Sequence, residues 1–339
     1  MSSLTDFQSW FGDFGPYYAG VLQMSCGDEY QRYVTDNATS CDGGVGKECI
    51  ITPLVSCILQ NTDPVATANV AAASVLLGLL PTILLQAGAN TMHVNFLSLK
   101  RPILSLLLSL SCPVVSILKT QAYGEPEVIL RGAPVHVPWA RNDTERLLAL
   151  CCQYLIVAGS VANIGHLIWQ LSVMSTVGWA THFPYTVTIW VVLAVVLQAI
   201  SALCLRLRIR LEDAVTTPWL RREFDLGCER TESTRVVLKQ ESTLFFAVSW
   251  LVSTAATMHL MYGTVVLAGL LFISTRNGLI IALRFLASAV AAKAITTYEL
   301  GSLRSSVGGL SLPELSGAHD GSRLVRHEKK YMDKMPSNT

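Results

Sequence analysis

The sequence predicts an all-α, polytopic transmembrane helical bundle with five or six spans. Three observations carry this. Of the 339 residues, 51% are hydrophobic and only 14% charged, whereas soluble domains carry about 25% charged residues. Mean hydropathy is positive, at +0.43. Long apolar segments recur between residues 65 and 298, at the length a bilayer requires. The net charge of +1 implies no global attraction to nucleic acid, and no stretch combines clustered basic residues with stacking aromatics, so no nucleic-acid partner is expected.

Residues 1–62 read as a polar, irregular N-terminal segment. "MSSLTDFQSWFGDFGPYYAG" has neither a basic n-region nor an apolar h-region, so no cleaved signal peptide is expected and the first span targets the chain. The segment holds Cys26, Cys41, Cys49 and Cys57, four of the nine cysteines, and the glycosylation sequon Asn37-Ala38-Thr39. Without CxxC spacing, four close cysteines fit two disulfides better than a zinc site, so no metal is expected.

The transmembrane domain is expected over 63–298. "VATANVAAASVLLGLLPTILLQAGA" (65–89) is the first span; Pro81 would kink it, its freed carbonyl being satisfied by neighbours. "PILSLLLSLSCPVVSIL" (102–118) has 17 residues, flanked by Lys100, Arg101 and Lys119 and interrupted by Pro113. That is the lower limit for a span, and a short broken helix that enters the membrane without crossing is expected. Residues 146–174 and 185–205 are clear spans. Residues 206–241 form a charged loop, read as a solvated helix. Residues 242–274 read either as one long tilted helix or as a helix broken near Tyr262-Gly263, and 278–298 is the last span. Residues 299–339 are expected to be a disordered tail.

Counting Lys and Arg by loop sets the topology. The 206–239 loop has eight and the region after 298 has six, so both are expected inside. If 102–118 does not cross, the N-tail is outside; if it crosses, Lys100 and Arg101 are outside instead, and either way the basic residues split three against twenty. The charge rule alone separates these poorly. Outside placement puts the cysteines and the sequon where disulfides and glycans form, and that arrangement is expected.

The candidate chemistry lies in a few polar side chains. Asn163, His166 and Gln170 follow at steps of three and four and share one helical face. His259 and Tyr262 lie deep in another span, and His93 lies near Asn90 and Asn95 just past the first. Intramembrane histidines are functional candidates, as metal ligands or proton carriers; the plainer reading is hydrogen-bonding glue between helices. The stripe is expected to face the bundle interior, with His259 and Tyr262 as partners of His166. Arg284 is the one deep charge, expected to snorkel or to meet a carbonyl freed by Pro81 or a lipid phosphate. Lys293 reads as a snorkelling residue. Ala287, Ser288, Ala291 and Ala292 read as a small-residue packing face.

No carboxylate lies within the expected spans, and HExxH, GxSxG, Walker and GxGxxG motifs are absent. No enzyme and no cofactor is therefore expected. The leading expectation is a structural, scaffold or sensor-type protein of the plasma membrane or an endomembrane, with the lipid bilayer as its environment. Cytoplasmic proteins or anionic lipid would bind at 206–239, through Arg206, Arg208 and Arg210. The alternative is a carrier or channel for a small solute, using Asn163, His166 and His259.

Three stretches, "ATANVAAASVLLGLLPTIL", "LKRPILSLLLSLSCPVV" and "HLMYGTVVLAGLLFISTRNGLIIALRFLASA", resemble a group of uncharacterised multi-span membrane proteins of filamentous fungi. The resemblance covers about residues 57–300. It implies a lineage and a multi-span fold. That family has no assigned activity, so the resemblance implies no site residue.

Overall fold

A computed structural model describes residues 7, 9–35, 48–116, 143–212, 223, 235–239, 242–306 and 309–311. Asn37 and Cys41 lie outside the described residues, as does the tail from 312. Five helices are long and apolar enough to cross a membrane: α4 (Pro64–Ala87), α7 (Asp143–Met174), α8 (Thr186–Arg208), α9 (Thr243–Ala268) and α10 (Thr275–Ser306). Their outward faces are greasy, with Leu155 71%, Val75 66% and Trp250 66% exposed. A water-soluble bundle would bury such residues; a bundle in lipid leaves them outside. The molecule is an all-helical, multi-pass membrane protein.

Two small sheets fix which helix ends meet. After α7, β1 (Thr176–Val177) pairs antiparallel with β4 (Leu270–Leu271), which follows α9. After α8, β2 (Ile209–Glu212) pairs with β3 (Arg235–Leu238), which precedes α9, and β3 pairs in parallel with β5 (Gly309–Ser311), which follows α10. The ends of α7 and α9 therefore share one face, the first face, with the starts of α8 and α10. The ends of α8 and α10 share the second face with the start of α9. Asn69 near the start of α4 accepts from the Thr275 backbone N–H at 2.8 Å, placing that start on the first face.

The 102–118 segment meets its expectation as far as it is described. Two ten-residue helices follow α4: α5 (Thr91–Lys100) and α6 (Pro102–Ser111). Each is roughly 15 Å long, half of what a bilayer core needs. They pack on each other as a hairpin whose tip is Arg101. At its far end the chain comes back beside its own start, where the Ser116 N–H donates to Thr91 Oγ1 at 2.7 Å. Helices α4 and α5 together make one broken crossing, and α6 dips back from the second face.

The N-terminal segment is more regular than its composition suggested. It forms α1 (Gly15–Ser25), α2 (Gly27–Val34) and α3 (Glu48–Gln60). A Cys26–Cys57 disulfide joins the α1–α2 junction to α3, and Cys49 is disulfide-bonded as well. This layer sits on the first face through Phe272, a 1% exposed ring against Phe7, Trp10 and Tyr18. Phe272 has φ 66°, a strained value for a bulky residue that the surrounding aromatic cluster holds in place.

One open choice is resolved and two other expectations are refined. Helix α9 is continuous through Tyr262-Gly263: a Cβ on Gly263 would lie 2.2 Å from Trp190 Nε1, so this glycine makes room for an indole rather than a break. Within 206–241, Arg206–Arg208 finish α8 and Ile209–Glu212 pairs with Arg235–Leu238 as a β-ribbon, while most of the expected helical loop lies outside the described residues. Helix α10 runs to Ser306, past the expected boundary at 298, because its buried face continues through Glu299 and Leu300.

Phe272→Ala removes the anchor of the N-terminal layer. It should cost about 3–5 kcal/mol, read as a lower unfolding midpoint, with faster proteolysis of residues 9–60 than of the spans. Burial, reinforced by neighbouring Tyr17, pushes the Tyr18 hydroxyl up to about 12. The fold thus favours neutral Tyr18. Its contribution should be complete below pH ~10, the unfolded value, and be lost as pH rises toward 12, measured by tyrosinate absorbance against stability.

Candidate functional site

The stripe on α7 closes around Arg284 of α10. Arg284 Nε donates to Asn163 Oδ1 at 2.9 Å, one terminal nitrogen donates to Gln170 Oε1 at 2.9 Å, and the other meets His166 Nδ1 at 3.1 Å. Asn163 Nδ2 returns two bonds, to the Arg284 carbonyl at 3.0 Å and Ser288 Oγ at 2.9 Å. The three-and-four spacing that put the side chains on one face also spreads them over two turns, the reach of one guanidinium. Arginine only donates, so His166 Nδ1 must accept. An imidazole protonated on both nitrogens could not make this bond.

The stripe's partner is therefore Arg284, not His259 and Tyr262, and Arg284's partner is the stripe, not a carbonyl near Pro81 or a lipid phosphate. Nor does the stripe face the bundle centre. Asn163 and Gln170 are half-buried and His166 is exposed, so the cluster lies along the rim of the α7–α10 seam.

His259 occupies a different seam, between α8 and α9. It is 1% exposed, its Nε2 lies 2.9 Å from the Trp190 carbonyl, and its ring stacks on that indole at 5.9 Å. A carbonyl only accepts, so Nε2 carries the proton. Tyr262 donates to the Thr186 carbonyl at 3.3 Å. Of the four small residues of α10, Ser288 and Ala292 are buried at 3% and 1% exposure, Ala291 is half-buried and Ala287 is exposed.

Two buried clusters hold the α5–α6 hairpin. In the first, Asn95 Nδ2 donates to Ser201 Oγ at 2.7 Å and Gln198 Nε2 donates to Asn95 Oδ1 at 2.8 Å. In the second, Arg101 at the hairpin tip pairs with Glu299 at 3.0 Å, and Gln153 Nε2 donates to the same carboxylate oxygen at 2.7 Å. Glu223, fully buried, accepts the Ile103 and Leu104 backbone N–H groups at 3.2 and 2.8 Å and the Tyr154 hydroxyl at 2.8 Å. A carboxylate is well placed there, because the first N–H groups of α6 have no partner in their own helix and carry the positive end of its dipole.

Sequence reasoning missed Glu299, Glu223, Gln153, Gln198 and Trp190. Glu299 and Glu223 fell outside the expected spans. Gln198 and Ser201, at a spacing of three in an apolar helix, were the available signal.

The basic residues expected to meet headgroups are partly engaged. Arg206 donates to the Ser98 carbonyl at 3.0 Å, and Arg208 donates to the Lys239 carbonyl and lies over the Phe245 ring. Among the described residues, no three His, Cys, Asp or Glu side chains come together to hold a metal ion. No family model, no curated protein and no solved structure matches the chain.

Asn163 and Arg284 should behave unequally. Asn163→Leu leaves the Arg284 Nε–H, the Arg284 carbonyl and Ser288 without this partner and should lower stability by about 1–3 kcal/mol. Arg284→Met loses the bonds to Asn163, Gln170 and His166 but also removes a charge whose insertion costs about 2.5–3.5 kcal/mol at mid-span, so its net effect should be smaller. Unfolding midpoints of the two variants in one detergent compare them; equal losses would contradict this account.

Proposed function

We propose that this chain is a non-catalytic scaffold or sensor of a cellular membrane, with a disulfide-stapled layer on the oxidising side and its 206–239 loop and C-terminal tail in the cytoplasm for partners. One observation supports this above others. The candidate carrier groups bond within the protein: Arg284 with Asn163, His166 and Gln170; His259 Nε2 with the Trp190 carbonyl, its Nδ1 having no partner among the described residues; Asn95 with Gln198 and Ser201. Groups that carry a proton or solute must be able to release their partners. A carrier built on Asn163, His166 and His259 also loses its geometry, because the two histidines occupy separate seams.

Orientation follows from the Cys26–Cys57 bridge, since disulfides persist in oxidising compartments, and from Lys100, Arg101, Arg206 and Arg208 on the second face. A glycan at Asn37 belongs to the same reading, as does membership of the fungal multi-span family.

In proteoliposomes, His166→Leu and His259→Leu should lower thermal stability modestly and change no pH-dependent flux. A flux that disappears in a correctly folded His166→Leu variant would establish a carrier instead. For orientation, a cysteine replacing Arg276 should react with an impermeant maleimide added from the oxidising side, and one replacing Lys239 only after permeabilisation. Endoglycosidase should shift the wild type and not Asn37→Gln. The reverse labelling would place the N-terminal layer in the cytoplasm.

A further inference from the structure

A cavity of about 250 Å³ opens where the first crossing breaks, between the end of α4, the start of α5 and α10. Gln86, Asn90, His93, Ser116, Lys293 and Thr297 give it a polar wall, and none of its lining residues is acidic. Lys293 lies 18 residues, roughly 27 Å, along α10 from Thr275, and six residues, roughly 9 Å, short of Glu299. A hydrocarbon core of about 30 Å counted from Thr275 would end just beyond it. The ammonium's one hydrogen bond among the described residues is a long one, 3.4 Å to the Gln86 carbonyl, and no carboxylate there pairs with it.

Asn90 and Ser116 add donors, while the Thr296 and Thr297 hydroxyls donate to their own helix. Asn90 Oδ1 is committed to the Met92 N–H at 2.9 Å, which leaves its Nδ2 donors. Ser116 Oγ accepts from the Thr91 N–H at 3.4 Å, which leaves its proton. Helix α5 begins at this wall, so its positive end adds to the field. Among the described lining residues, a cation and the donors of Asn90 and Ser116 face a volume without acids, a setting suited to a negatively charged acceptor.

We propose that this cavity binds a phosphate group, carried either by an anionic lipid headgroup or by a soluble phosphate. It goes beyond the scaffold or sensor reading and does not depend on it. Gln86, Asn90, Lys293 and Thr297 are exposed on the flank of the bundle, which gives a headgroup lateral entry.

The test uses the full chain in nanodiscs. One arm titrates phosphatidic acid into phosphatidylcholine discs. The other adds inorganic phosphate to phosphatidylcholine discs, with chloride at matched ionic strength as control. A saturable rise in unfolding temperature is expected in at least one arm. A rise with phosphatidic acid alone identifies a lipid; a rise with inorganic phosphate identifies a soluble source. Lys293→Met should weaken the apparent affinity roughly tenfold or more, as loss of a charge-assisted bond does, and Lys293→Arg should retain it. Thr297→Leu should block binding by filling the cavity; the Thr297 hydroxyl bonds only its own helix, at 2.8 Å to the Lys293 carbonyl, so this variant decides the matter if Lys293→Met does not fold. No saturable rise in either arm, or a rise unchanged in Lys293→Met and Thr297→Leu, overturns the proposal.

Discussion

Hydrocarbon neither donates nor accepts hydrogen bonds, so every polar group carried into it needs a protein partner. The organisation of this bundle follows from how that requirement is met. Where the first crossing breaks, three backbone groups would be left bare. The Gly88 N–H donates to the Leu84 carbonyl at 2.8 Å, Asn90 caps the Met92 N–H, and Thr91 and Ser116 bond reciprocally. The returning segment after α6 is thus part of what makes the break tolerable. It also explains the packing of the hairpin. Asn95 faces Gln198 and Ser201 because only another helix offers it partners.

The ends of the helices obey the same rule with different means. The first face joins α7 to α9 through a two-residue ladder, and the second joins α8, α9 and α10 through a three-stranded one. Each ladder satisfies backbone groups just where the helices stop. At the second face the hairpin tip adds an ion pair, Arg101 with Glu299. Such a pair is weak evidence for net stability, since desolvation offsets much of the attraction, but losing one partner alone is costly. Its value here is positional: with Gln153 it joins α6's start to the N-terminal part of α7 and the end of α10.

Much of this was legible in the sequence and some was not, for identifiable reasons. The spans are a matter of length and hydropathy, which a single sequence carries in full. The broken course of 102–118 was readable because ten helical residues cannot cross a bilayer and Pro113 stops the helix. The spacing of Asn163, His166 and Gln170 showed that they act together. It could not show on what, because the partner lies 114 to 121 residues away, and the relative rotation of two helices is set by packing across the whole seam. Glu299 escaped notice because a hydropathy window ends where charges resume, although the helix does not. In residues 9–60 the low hydropathy suggested irregular chain; a disulfide and an aromatic cluster order that layer without needing a greasy sequence.

Helix α10 carries cations at three depths, and their surroundings differ in kind. Arg276, at the first face, is well exposed and meets Asp13 at 3.2 Å, a surface pair worth about 0–1 kcal/mol. Arg284, about 12 Å deeper along the helix, has no carboxylate but three neutral acceptors, one for each guanidinium nitrogen. A planar fork is matched there by oxygens and a ring nitrogen at fixed spacing, which an ammonium could not exploit. Lys293, deeper again, makes one long hydrogen bond among the described residues, to the Gln86 carbonyl at 3.4 Å. The first two cations are provided for by the chain itself. The third is exposed beside an open volume whose described lining holds no acid, so an anionic partner entering there would complete it.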